Sequence, residues 1–469
     1  MGRIRYPYSL SNDATSEGES VTAESTPVSS IIWDVYELLV NSLPKARCTK
    51  VISLKKERWL RSFTAQEARH MIEKLNELSE STEIRQFVHN SAILKRCNLV
   101  QSTVTGLQIS AVQNQPYWIW GWLLLLLQCY NVEYLSIPRN DAKLFIHLMS
   151  QIVVDTYHGK YASLGGNPYR IWSRLKEVCI KPLHSQDLIH AVGDSLPASQ
   201  CVEMEDVMLL LLLPSLKKLY IWFMDSNSVT NFRVVSEKTE FAISSIEEIE
   251  VHMAKVPVDR LEAFFRPMRN LDRLIWCHRN RRDDRELTSE VFDLVKFTNA
   301  LHHTRHALKS LTLSLPDSYP IRSTFFGFYS FKAFTTLIDL RIDASLLFSG
   351  HPKTGGPQNV PIALKDILPS SLEFLTVMRA WKNYKEFEWE SLFSGFVYAR
   401  RHGRFPRMER IRLCGDVVPH PSCYNLTWPA IGSIVERLQN TGIVIEALRN
   451  TGHSNYHRSL FRLNMWLRL

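Results

Sequence analysis

Three groups of residues in this chain have the types and spacing that chemistry needs. His302, His303 and His306 stand in HHTRH, where His302 and His306 would share a helix face at i, i+4 and could hold a metal ion. The reading preferred here is a set of cationic side chains near a helix C-terminus, where the dipole favours them. Cys414, His420 and Cys423 are zinc-ligand types, but Cys414 follows a strand pattern and no fourth ligand is in view. The third group is basic. Arg400, Arg401, Arg404, Arg407, Arg410 and Arg412 crowd into YARRHGRFPRMERIRL, a cluster able to meet phosphate or an acidic peptide. In HRNRRDDRE, by contrast, Asp283, Asp284 and Glu286 cancel Arg279, Arg281 and Arg282, which reads as a solvated loop.

Motifs that build catalytic centres are missing. The chain has no phosphate loop, no Gly-x-Gly-x-x-Gly between strand and helix, no Gly-x-Ser-x-Gly elbow, no His-Glu-x-x-His and no calcium loop. The expectation is therefore a protein without catalytic residues, metal or cofactor, and not an enzyme.

The elements that hold these groups repeat one phrase. In Met208 to Phe223, MLLLLLPSLKKLYIWF, Leu216, Leu219 and Ile221 follow Pro214 at offsets of three and two. That spacing suits a turn entering a short strand, with one residue tucked under the turn and two pointing inward at period 2. The phrase recurs as Val104/Leu107/Ile109, Val132/Leu135/Ile137, Leu175/Val178/Ile180, Leu216/Leu219/Ile221 and Ile246/Ile249/Val251. It continues as Leu271/Leu274/Trp276, Leu308/Leu311/Leu313, Leu337/Leu340/Ile342, Leu372/Leu375/Val377 and Met408/Ile411/Leu413, with a last strand at Ile443 to Ile445. Helical periodicity returns between strands, over Asp141 to Thr156, Thr288 to Leu301 and Ala430 to Leu438. Neither face of such a unit is buried until the next stacks on it. The predicted fold is α/β, a solenoid with a parallel inner sheet and outer helices.

Four regions follow. Residues 1–28, poor in apolar side chains, read as a disordered tail. Residues 29–103 read as an N-terminal helical cap, with a capping box at Thr64 and Glu67. Residues 104–450 form the irregular solenoid, and 451–469 a basic and apolar tail able to dock as an amphipathic helix.

The phrases "LLLLLPSLKKLYI", "LPSSLEFLTV" and "FPRMERIRL" resemble those of irregular leucine-rich repeats in fungal F-box/leucine-rich-repeat-like proteins. The similarity covers Val104 to Ala447. It implies a protein-recognition scaffold and, by way of an F-box, a substrate receptor of a ubiquitin ligase. Departures are visible: Leu43-Pro44 lacks the residues that follow in an F-box, and of the asparagines that ladder regular repeats only Asn140 is in place. Repeat spacings also exceed the usual range.

Eight cysteines without a Cys-x-x-Cys, and no signal peptide, favour a reducing cytoplasmic or nuclear setting with free thiols. The apolar run Tyr117 to Leu127 is too short to span a membrane and reads as a buried helix. A net charge of +9 permits an acidic partner without requiring one, with basic residues spread along the whole chain.

Strand parity then predicts a binding face. If Leu219 and Ile221 point inward, Lys218, Tyr220 and Trp222 point out. The same parity exposes Tyr134, Glu248, Glu250, Arg273, Arg341, Phe374, Met378, Arg410 and Arg412, with Asp343 beside them. This face is expected to carry an aromatic patch, an acidic middle and a basic end, and to bind a partner protein as a monomer. The alternative expectation is nucleic acid or polyphosphate on the arginine-rich C-terminal end.

Overall fold

The computed structural model describes residues 20–22, 51–53, 131–138, 143, 146–147, 149–150, 153, 172–181, 201–226, 233, 235–237, 243–278, 292–315, 329–348, 362–378, 386–415 and 432–449. The chain divides into two compact units. Unit 1 comprises Met1–Asp187, Leu196–Trp222 and Ser228–Ile246; unit 2 comprises Leu188–Ser195, Phe223–Asn227 and Glu247–Leu469.

Unit 1 holds β1 (Ser20–Thr22), β2 (Val51–Ser53), β3 (Tyr134–Pro138), β4 (Glu177–Lys181), β5 (Val202–Glu203), helix α1 (Met204–Leu210) and β6 (Lys218–Trp222). Strands β1, β2, β3, β4 and β6 lie side by side in that order, all parallel. The neighbour of β3 is β2, which lies in the range read as a helical cap, and β1 lies in the range read as a tail.

Unit 2 holds β7 (Met224–Asp225), β8 (Glu248–Ala254), α2 (Leu261–Phe265), β9 (Arg273–His278), α3 (Leu294–Ala300), β10 (Ser310–Ser314) and β11 (Asp339–Asp343). It continues with α4 (Ala344–Leu347), α5 (Leu364–Ile367), β12 (Phe374–Met378), α6 (Glu386–Leu392), α7 (Phe396–Arg401), β13 (Arg410–Gly415), α8 (Gly432–Gln439) and β14 (Val444–Arg449). Strands β8 to β14 run parallel, each beside the next in the chain. The class is mixed α/β with parallel sheet, as expected. The helices between strands are short, α8 being eight residues.

The repeated phrase sets the register. Leu135 faces Val178 and Val178 faces Leu219 in unit 1; Ile249, Leu274, Leu311, Leu340, Leu375, Ile411 and Ile445 form one row in unit 2. Each inward strand residue from Leu135 to Leu413 is at most 1% exposed, and the turn residues Val132, Leu175, Leu216, Ile246, Leu271, Leu308, Leu337, Leu372 and Met408 are fully buried. Large rings fill the layer beside the sheet, where short returns leave room. Phe265 of α2 meets Trp276 of β9 at 5.7 Å and Phe297 of α3 at 6.0 Å, in edge-to-face geometry.

A second device locks successive turns together. The residue just before a buried turn leucine or isoleucine is often Ser or Thr, and its hydroxyl donates to a carbonyl of the preceding turn. Ser215 donates to Ser173, Ser245 to Leu216 at 2.9 Å, Thr336 to Leu308 at 3.1 Å and Ser371 to Leu337 at 2.9 Å. These bonds do locally what a buried asparagine ladder does in regular repeats. Ser371→Ala is expected to lower unfolding free energy by about 1 kcal/mol, read from the urea midpoint. An unchanged midpoint would mean that water replaces the bond at no cost.

The rung Val104/Leu107/Ile109, the capping box, the run Tyr117 to Leu127, His420, Cys423 and the tail 451–469 lie outside the described residues. Cys179, Cys201, Cys277 and Cys414 are buried free thiols. Among the described residues no helix is long and apolar enough to cross a membrane.

Candidate protein-binding face

The strand face opposite the apolar rows is built by parallel register. In unit 2 its first row runs Glu248, Arg273, Ser310, Asp339, Phe374, Arg410 and Val444, and its second runs Glu250, Ile275, Thr312, Arg341, Thr376, Arg412 and Glu446. Opposite charges therefore fall within reach of each other. Arg273 lies 3.5 Å from Glu248, Arg341 pairs with Asp339 at 2.7 Å, and the Ser310 hydroxyl donates to Asp339 at 3.4 Å. Glu446 of β14 takes both Arg412, at 2.7 Å, and Arg410, at 3.4 Å.

The face is graded in depth. Glu248, Glu250, Arg273, Arg341, Phe374, Arg410 and Arg412 are half-buried, as a surface of ordered side chains would be. At the strand ends the third row is buried: His252, Cys277, Ser314, Asp343, Met378 and Cys414. Met378 is thus on the predicted face but inaccessible. In unit 1 Lys218 is exposed and Tyr134 half-buried, whereas Tyr220 and Trp222 are only 6% and 7% exposed. The predicted aromatic patch is packing, not surface. Alternation gives the direction of a side chain, but not the depth of what lies over it.

The expected acidic middle and basic end are corrected too. Glu248 is paired with Arg273, Glu250 accepts from His252 at 2.5 Å, and at the basic end Glu446 offsets one of the two charges of Arg410 and Arg412. Glu446 was missed because only Ile443 to Ile445 was read as strand. The alternation of Val444 and Glu446 with Ile443, Ile445 and Ala447 carries the signal.

Three polar residues at the strand ends have structural roles. Asp343 is fully buried and caps α4, accepting from the Ser345 amide at 3.1 Å and the Ser345 hydroxyl at 2.7 Å. It also accepts from the Leu315 amide at 3.5 Å. Burial works against a charged His252, but Cys277, by charge and a hydrogen bond, and Glu250 outweigh it and raise the imidazole to about 10. Burial alone pulls His278 down to about 3; its Nδ1 has no hydrogen-bond partner among the described residues, and its ring lies 4.7 Å from Phe292.

Leu301–Thr304 is a single 3-10 turn, and Arg305 donates through Nε to His306 Nε2 at 2.9 Å and stands 3.3 Å from His302 Nδ1. A cation already lies between the two rings. Unit 1 holds a polar cluster that the sequence did not disclose. Asp206 of α1 meets His147 at 3.0 Å and Ser150 at 3.0 Å, while Lys143 pairs with Glu203 at 2.8 Å. The hydrogen bond to Asp206 raises His147 above its ordinary value. These partners lie far apart in sequence, so spacing gives no sign of them.

The chain matches no protein-family model and no curated protein.

Proposed function

We propose that this chain is a non-enzymatic recognition scaffold built of leucine-rich-repeat-like units, binding a partner protein through the strand face of unit 2. The observation that carries the reading is the half-buried charge lattice of Glu248, Arg273, Asp339, Arg341, Arg410, Arg412 and Glu446. Side chains already held by neighbours lose little freedom on binding. Charges of both signs in fixed register select partners by complementarity more than they add raw affinity. The resemblance to F-box/leucine-rich-repeat-like proteins extends this proposal to a substrate receptor of a ubiquitin ligase, working as a monomer in cytoplasm or nucleus.

The test uses half-buried positions, because Tyr220 and Trp222 are core. Affinity capture with quantitative mass spectrometry compares the wild type with Arg273→Glu/Arg341→Glu. A specific partner is expected to fall at least about tenfold with the double variant, while melting shows the fold retained. Retention of every partner would remove this face as the site. Recovery of a cullin adaptor would support the ligase role.

A further inference from the structure

In a parallel sheet every turn that enters a strand falls on the same edge. The ladder of unit 2 fixes that edge, since Lys309 donates to Asp272, Ile338 to Lys309, Glu373 to Ile338 and Glu409 to Glu373 along the backbone. The turns before β9, β10, β11 and β13 carry Arg266 and Arg269, Arg305, Lys332, and then Arg401, Arg404 and Arg407. Basic residues that look dispersed along the sequence are thereby gathered on one rim.

Carboxylates share this rim, with Glu247, Glu373 and Glu409 in the same strand-entry turns. Asp272 is held by Lys309 at 2.7 Å and Glu262 by Arg266 at 3.3 Å. Among the described residues no carboxylate pairs with Arg269, Lys332, Arg401, Arg404 or Arg407, and each of these is exposed. The rim also offers a ring. Tyr398 of α7 is 67% exposed, with the His402 ring 3.8 Å away. From β9 to β13 the rim extends on the order of 20 Å, several phosphates of an extended strand.

We infer that the strand-entry rim of unit 2 binds single-stranded nucleic acid, its arginines on phosphates and Tyr398 under a base. Guanidinium forks match phosphate oxygens, and an exposed aromatic ring gives a stacking platform that acidic peptides do not use. This site is separate from the strand face proposed above and does not rest on it.

Fluorescence anisotropy of a labelled single-stranded RNA of about 12 nucleotides, titrated with the full chain, tests the inference. Binding is expected at about 50 mM salt and should weaken steeply towards about 200 mM. Arg401→Glu/Arg404→Glu/Arg407→Glu should weaken it at least about tenfold and lower the salt slope, and Arg269→Glu/Lys332→Glu should weaken it as well. Tyr398→Ala should weaken RNA binding but leave binding of inorganic polyphosphate unchanged. These substitutions are on exposed side chains, so unchanged melting temperatures confirm folded variants. No binding at low salt, indifference to the arginine reversals, or equal affinity for poly-glutamate would overturn the inference.

Discussion

The stability of unit 2 is expected to peak near pH 6.5 and to fall on both sides, because two buried histidines titrate away from that ordinary value in opposite directions. His278 is held neutral down to about 3, so between pH 6.5 and 3 the unfolded chain binds a proton that the folded chain refuses. Stability must fall on acidification across that window, by ~1.4 kcal/mol per pH unit from this residue. His252 is raised to about 10, so its contribution is complete below 6.5 and is lost as pH climbs through 10. Both limbs should be large enough to read in the stability of an ordinary domain. Urea unfolding across this range is the measurement. His278→Phe should flatten the acid limb while sparing the alkaline one, and His252→Gln should do the reverse. Acid limbs that superimpose for wild type and His278→Phe would show that burial does not hold that imidazole neutral.

Asp343→Ala should be among the most damaging substitutions at a strand end, lowering unfolding free energy by about 3 kcal/mol. The carboxylate is fully buried and serves three donors, the Ser345 amide and hydroxyl and the Leu315 amide. Removing it takes the cap from α4 and strands those donors. Asp343→Asn keeps one acceptor oxygen and should lose about 1 kcal/mol. The two urea midpoints decide it: equal losses would mean that the carboxylate's charge and second oxygen, which both variants remove, set the cost, and not the single acceptor that Asn retains.

These roles show where the sequence is legible. Period-two residues such as Leu219 and Ile221, after a turn leucine such as Leu216, identify strand, inward face and register together, because alternation is a property of the extended chain itself. The charge lattice was half legible. Parity places Arg412 on the face, yet its partner Glu446 comes from β14, which was read three residues long. Cover is not a local property. Tyr220 and Met378 obey the alternation and are still buried. The turn hydroxyls escaped notice for another reason. Ser215, Ser245, Thr336 and Ser371 are common surface residues, and only the stacking of turns gives each a carbonyl to reach. The division into two units left no mark either, as it falls between Ile246 and Glu247, inside one of the repeated phrases.

Site-specific photo-crosslinking tests partner recognition by the strand face of unit 2 most directly. Benzoylphenylalanine would replace Phe374, half-buried on that face, and in a second protein the exposed Ser394 between α6 and α7. The account predicts a covalent adduct with the captured partner from position 374 and none from 394. A partner that is captured but crosslinks only from 394, or equally from both, would contradict it.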